Sequence, residues 1–216
     1  MTELLLTLAE ARVLACLVEK SIATPQYYPM TVNAIMLAAN QKNSRNPITH
    51  FNEGEVGAAL TRLEQEHLVA RDDHAGRVPK WRQRMQNQLL LKPASVAVLA
   101  TLMLRGPQTA AELRTHAQGL GGPGDAEELA AAIADLEDRA QPLLLLLLLP
   151  RAPGQSAARY AQLLCGAAQA QSAAARIEAS ASSSETPARS SIAELEARVQ
   201  ALEARLAEIE QRLTQS

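Results

Sequence analysis

Twice along this chain, in the same order, the spacing of apolar residues changes from helical to extended. In the first pass Thr7 and Glu10 stand at capping-box spacing, and Ala11, Leu14, Ala15 and Val18 recur at i, i+3, i+4 and i+7. Pro25 and Pro29 punctuate a loop, and a second helix is expected from about Thr31 to Ala39. Asn52 and Glu55 cap a third, with Val56, Ala59, Leu60 and Leu63 on one face. The period then shortens to two. Leu68 to Arg71 reads as a strand, Asp73 to Gly76 as a turn, and Val78 to Arg84 as the return, with Val78, Lys80, Arg82 and Arg84 on one side and Pro79 at its start.

In the second pass Pro93 opens a helix bearing Val96, Leu99, Ala100 and Met103, and Gly106 stops it. Thr109 and Glu112 cap a short helix with Leu113 and Ala117. After the glycine-rich stretch Gly119 to Gly124, Asp125 and Glu128 cap a helix carrying Leu129, Ala132, Ile133 and Leu136. Leu143 to Leu149, bracketed by Pro142 and Pro150, has strand length, and Ala158 to Leu163 is its return. Three helices and a hairpin, repeated, predict a mainly α fold with small β-wings: two tandem winged-helix (helix-turn-helix) domains, 1–90 and 91–166. Gly166 to Ser191 shifts to Ala, Ser and Gln, which predicts a flexible linker over 167–191, its Ala-rich part transiently helical.

The tail, 192–214, carries a heptad. Ile192, Leu195, Val199, Leu202, Leu206, Ile209 and Leu213 are spaced alternately by three and four. With Ile192 at a, every e residue (Glu196, Glu203, Glu210) is acidic and every g residue (Arg198, Arg205, Arg212) is basic. Parallel pairing sets Arg198 against Glu203 and Arg205 against Glu210, whereas antiparallel pairing sets like charges together. A parallel homodimeric coiled coil is therefore expected, ahead of a lone amphipathic helix packed on its own body.

Glu10 to Leu14, Glu19-Lys20, Thr24 to Pro29, Asn33, Asn40 to Pro47 and Arg105 to Leu113 resemble the YceH-like family of bacterial tandem winged-helix proteins of unknown function. The resemblance runs from about Thr7 to Leu164. Leu143 to Leu149 is less mixed than the family's strand, and Ala39 stands where a Cys is common. It implies the fold and no catalytic or ligand residue.

Charge narrows the function. With net charge −2 and pI about 6.1, the chain is no general DNA-coating protein, so contact with double-stranded DNA requires a local patch. Lys42, Arg45, Arg71, Arg77, Lys80, Arg82 and Arg84 are the candidates for a wing-and-loop footprint of a dimeric regulator. Against it stand Glu53, Glu55, Glu64 and Glu66 against Arg62 on the third helix, and Asp125, Glu127, Glu128, Asp135, Glu137 and Asp138 against Arg139 on the third helix of the second pass. The alternative is a module that binds an unknown protein without DNA, and a merely solvated hairpin is the plain reading of the basic residues. Trp81 is expected in the core or at a dimer contact.

His50, His67, His74 and His116 lack ligand spacing, and no phosphate-loop motif or nucleophile–base pair is present. No enzyme, metal or cofactor is expected. Cys16 and Cys165 are read as reduced, half-buried thiols. No basic-then-apolar leader precedes Thr7, and the longest apolar run has seven residues against the roughly 20 a spanning helix needs. A cytoplasmic protein with no membrane contact is expected.

Overall fold

A computed structural model describes residues 4–72, 78–137, 145–151 and 157–177. Its elements are α1 (Leu8–Ala23), a 3-10 turn (Pro25–Tyr27), α2 (Val32–Ala39), α3 (Glu53–Gln65), β1 (Val69–Asp72), β2 (Lys80–Gln83), α4 (Met85–Gln88), α5 (Pro93–Arg105), α6 (Ala110–Ala117), a second 3-10 turn (Gln118–Leu120), α7 (Ala126–Glu137), β3 (Leu146–Leu149) and β4 (Arg159–Gln162). The chain is mainly helical with two small antiparallel sheets. No helix among the described residues is long and apolar enough to cross a membrane.

Local chemistry sets the helix starts. Thr7, Asn52 and Thr109 each form a complete capping box, their side chains accepting from Glu10, Glu55 and Glu112 backbone N–H and those carboxylates accepting in return. Each cap is worth about 1 kcal/mol, because it satisfies donors no helical carbonyl can reach. The Asp125–Glu128 pair closes differently. Asp125 accepts from Glu128 N at 2.8 Å, but the Glu128 carboxylate reaches on to Gly124 N at 2.7 Å.

The two passes match in register. Val69, Ala70, Arg71 and Asp72 pair with Gln83, Arg82, Trp81 and Lys80, while Leu146 to Leu149 pair with Gln162, Ala161, Tyr160 and Arg159. A third segment joins each hairpin by one residue. Met30, just before α2, exchanges both backbone hydrogen bonds with Trp81 (3.1 and 2.8 Å), and Gln108, just before α6, does so with Tyr160 (3.0 and 2.7 Å). A single bridging residue has no periodicity, so hydrophobic spacing cannot reveal it. Its sequence trace is the parallel between Pro29-Met30-Thr31 and Pro107-Gln108-Thr109.

Residues 1–174 form one compact unit. Its core is a continuous cluster from Leu6 to Leu164, built on α1 and α5, which pack against each other. Both helices are apolar on nearly every side, as central helices must be: Ala11–Val18 and Ser95–Leu104 are buried throughout. Leu6 N–H also donates to Leu164 O, so the start of the first pass is bonded to the end of the second. Cys16 is buried outright, and Cys165 is partly so; both are free thiols.

The leucine run is a strand where it is described, and both its faces have work. Leu145 and Leu146 enter the main core, whereas Leu147 and Leu149 join Ala161, Leu163, Ala170 and Ala174 in a second cluster. That second cluster involves the first residues of the expected linker, of which only 167–177 are described. Residues 167–177 are helical, because alanine gives strong helix propensity and the outer face of β3–β4 offers Ala170 and Ala174 an apolar surface to cover. The heptad residues Ile192, Leu195, Val199, Leu202, Leu206, Ile209 and Leu213 lie outside the described residues.

Candidate nucleic-acid interface

β1–β2 separates its residues by the pleat. Trp81 turns inward, 5 % exposed, over the Met30 bridge. Lys80 and Arg82, two residues apart, share the other face. Arg82 pairs with Asp72, and Arg71 lies 4.9 Å from the Trp81 ring centroid and 3.5 Å from the Glu64 carboxylate. Arg71 and Arg82 remain half-exposed; such pairs contribute at most about 1 kcal/mol each and leave guanidinium donors available. Arg84 is exposed and Lys80 half-buried, and neither has an ion pair among the described residues. Tyr28 steadies this edge: its hydroxyl accepts from Gln83 N–H at 2.5 Å, and burial, opposed by that bond and by Arg82, pushes its pKa up to about 12.

The loop expectation divides. Lys42 is exposed. Arg45 is buried, 6 % exposed, and cannot meet a phosphate as expected. Its guanidinium donates to Glu19 at 2.6 and 3.1 Å, to Ala38 O, to Ser44 O and to Gln41 Oε1. Arg12, wholly buried, donates to Ala39 O, Thr49 Oγ1 and Pro47 O. The two arginines thus satisfy the last carbonyls of α2, which have no intrahelical partner and carry the negative end of the helix dipole. Asn40 completes the loop, accepting from Phe51 N–H and donating to Phe51 O. The missed signal is on α1: Arg12, Cys16 and Glu19, at i, i+4 and i+7, draw a polar stripe down an otherwise buried helix. Arg77 lies outside the described residues.

The carboxylates of α3 are largely occupied. Glu55 caps the helix, Glu64 meets Arg71, and Glu66 pairs with Arg62 at 2.7 Å. What α3 exposes is Glu53, Gly54, the capping Glu55, Ala58, Thr61, Arg62 and Gln65. On α7, Asp135 bonds Ser95, while Glu127 and Glu137 stay exposed with Ala130, Ala131 and Ala134. The second hairpin is also unlike the first. Register places Arg159 where Lys80 stands and Ala161 where Arg82 stands. Arg159 is held by Glu112 at 2.7 Å, and Ala161 is buried under the 167–177 helix. No group of three or more His, Cys, Asp or Glu able to hold a metal occurs among the described residues.

A family profile described as "Protein of unknown function, DUF480" matches residues 6–155. A UPF0502 protein of Geobacter sulfurreducens is 43 % identical over 164 residues, covering 76 % of this chain and 74 % of its own. UPF0502 proteins of Geotalea daltonii (42 % over 160 residues, 74 % and 72 %) and of Shewanella sp. strain ANA-3 (42 % over 169 residues, 76 % and 77 %) are similar to a like degree.

Proposed function

The chain belongs to the DUF480 family of uncharacterised bacterial proteins, and from that premise we propose that it is a dimeric DNA-binding protein of the transcription-regulator kind, with two tandem winged-helix domains, meeting duplex DNA through the first. The carrying observation is the clustering of Arg71, Lys80, Arg82 and Arg84 on one hairpin beside an α3 whose carboxylates are mostly engaged within the chain. The recurring order of helix, bridging residue, two helices and hairpin supports the fold reading.

In this reading α3 enters the major groove with Thr61, Arg62 and Gln65, and the hairpin with Lys42 neutralises phosphates. Gly57 fits that role. A Cβ there would meet nothing within 4 Å, so packing does not explain a residue that disfavours the helix by about 1 kcal/mol relative to Ala. Bare backbone permits close approach by something outside the chain. No catalytic step is part of the proposal.

Fluorescence anisotropy with a random duplex tests it. Affinity falls with salt by a log–log slope of roughly −0.9 per phosphate contact, and the double reversal Lys80→Glu/Arg84→Glu flattens that slope by about 2. No binding at low salt, or a slope untouched by the reversal, defeats the reading. The tail supplies the pairing: a chain ending at residue 190 is expected to be monomeric by light scattering and to bind DNA more weakly, through lost effective concentration. A dimer persisting without the tail would reject that role.

A second reading concerns the second pass alone. Its exposed Glu127 and Glu137, with exposed Ala130, Ala131 and Ala134 on the same helix, favour a protein partner there. Reversing both glutamates would release such a partner and leave DNA binding intact.

A further inference from the structure

α3 turns one line of residues away from the core. Gly54, Ala58, Thr61 and Gln65, spaced by four, three and four, are exposed opposite buried Val56, Leu60 and Leu63. An exposed helix crest ordinarily carries charge, and this one carries none. The carboxylates stand to the sides. Glu53 and Glu55 are the sequence neighbours of Gly54, each about 100° around the helix from it, and Glu55 is bonded to Asn52 N–H. Glu64 meets Arg71 of the first hairpin at 3.5 Å, which puts that hairpin's cations beside this helix.

The hydrogen-bonding inventory of the crest limits what it can recognise. Thr61 Oγ1 donates to Gly57 O at 3.0 Å, so its proton is used within the helix and its methyl group is left for an outside contact. Ala58 offers a methyl group alone. Gln65 has no side-chain hydrogen bond among the described residues, and its amide keeps both donors and acceptor. The one cation of α3, Arg62, is bonded to Glu66 at 2.7 Å. Guanine is read by a bidentate arginine or lysine on O6 and N7, thymine by an apolar contact on its 5-methyl group, and adenine by a bidentate asparagine or glutamine on N6 and N7. The crest holds the second and third kinds of group and lacks the first.

Granted the DNA-binding reading, we propose that α3 selects adenine–thymine pairs in the major groove: Ala58 and Thr61 lie against thymine methyl groups, and the Gln65 amide pairs with adenine. Duplex DNA fits this face better than a protein ridge because the counter-charges for phosphate surround it, on Arg71, Lys80, Arg82 and Arg84 of the hairpin and on exposed Lys42 in the loop before α3. From Thr61 to Gln65 the helix rises about 6 Å, about two base-pair steps, so neighbouring A·T pairs are read together.

Fluorescence anisotropy of the full-length protein at one salt concentration compares four duplexes of equal length: A·T, G·C, A·U (deoxyuridine for thymine) and I·C (deoxyinosine opposite cytosine). All carry the same phosphates. A·U lacks only the thymine methyl, and I·C presents the A·T pattern in the minor groove with the G·C pattern in the major groove. Binding to A·T is expected to be about tenfold tighter than to G·C, with I·C like G·C and A·U several-fold weaker than A·T. Gln65→Ala reduces the A·T over G·C ratio. Thr61→Ser, which keeps the hydroxyl and removes the methyl, shrinks the A·T over A·U ratio. Both positions are exposed, and the comparison among duplexes needs no variant. Equal or stronger binding to G·C overturns the proposal and leaves DNA binding itself in place, whereas no binding to any duplex overturns both. I·C bound as tightly as A·T assigns the preference to the minor groove and overturns it as well.

Discussion

Arg45→Ala destabilises the protein by about 3–5 kcal/mol, the range for removing one partner of a buried ion pair. The substitution strands Glu19, whose side chain is 15 % exposed, and deprives Ala38 O at the end of α2 of its donors. Lys42→Ala, three residues earlier but exposed, changes stability by less than about 0.5 kcal/mol and, on the proposed DNA-binding reading, lowers DNA affinity instead. Urea denaturation of both variants reads the difference. A loss under about 1 kcal/mol for Arg45→Ala would mean that the pair contributes no more than a surface bridge.

The same pair sets a pH dependence. Burial alone raises the Glu19 pKa, but the Arg45 hydrogen bonds and charge, with Lys20 beside them, outweigh it and hold the carboxyl below its ordinary 4.5. A folded-state pKa below the unfolded value gives stability that is complete above the unfolded value and is lost as pH falls through the folded one. Wild-type stability should therefore drop more steeply below about pH 4.5 than that of Arg45→Ala. Parallel curves for the two proteins would remove Glu19 as the titrating group.

Leu136→Ala, on α7, is expected to lower stability by about 2–5 kcal/mol, and a residue of the other pass should report it. Leu136 is wholly buried. Trp81, the chain's one tryptophan, lies in the first hairpin. Because α1 and α5 share a core and the Asn46–Leu104 and Leu6–Leu164 hydrogen bonds fasten the two passes, the Trp81 fluorescence midpoint in urea should move with the second-pass substitution. A midpoint that stays fixed while circular dichroism splits into two transitions would show two independently unfolding domains.

Features whose causes lie within a few residues were legible from the start. The capping pairs, the hairpins, the helix stop at Gly106 and the inward Trp81 all follow from local hydrogen bonding or a period of 3.6 or 2. Features whose causes are distant were not. Lys42 and Arg45 look alike in an amide-rich loop; Glu19, twenty-six residues upstream of Arg45, separates them. The leucine run gave its length and strand character but not the reason both faces are apolar, which is Ala170 and Ala174 lying across the outer one. The acidic count around α3 did not reveal which carboxylates are paired: Arg62 meets Glu66 and Arg71 meets Glu64.

The sequence by itself determined the element order, its repetition, and the heptad spacing and charge alternation of the tail, because each depends on neighbours within one or two turns. Tertiary structure decided which cations stay on the surface, which carboxylates are engaged, and that Arg105 meets Ser44 while Gln108 meets His116. Those outcomes depend on burial and on partners that meet only when α1 packs against α5, and neither is a property of spacing along the chain.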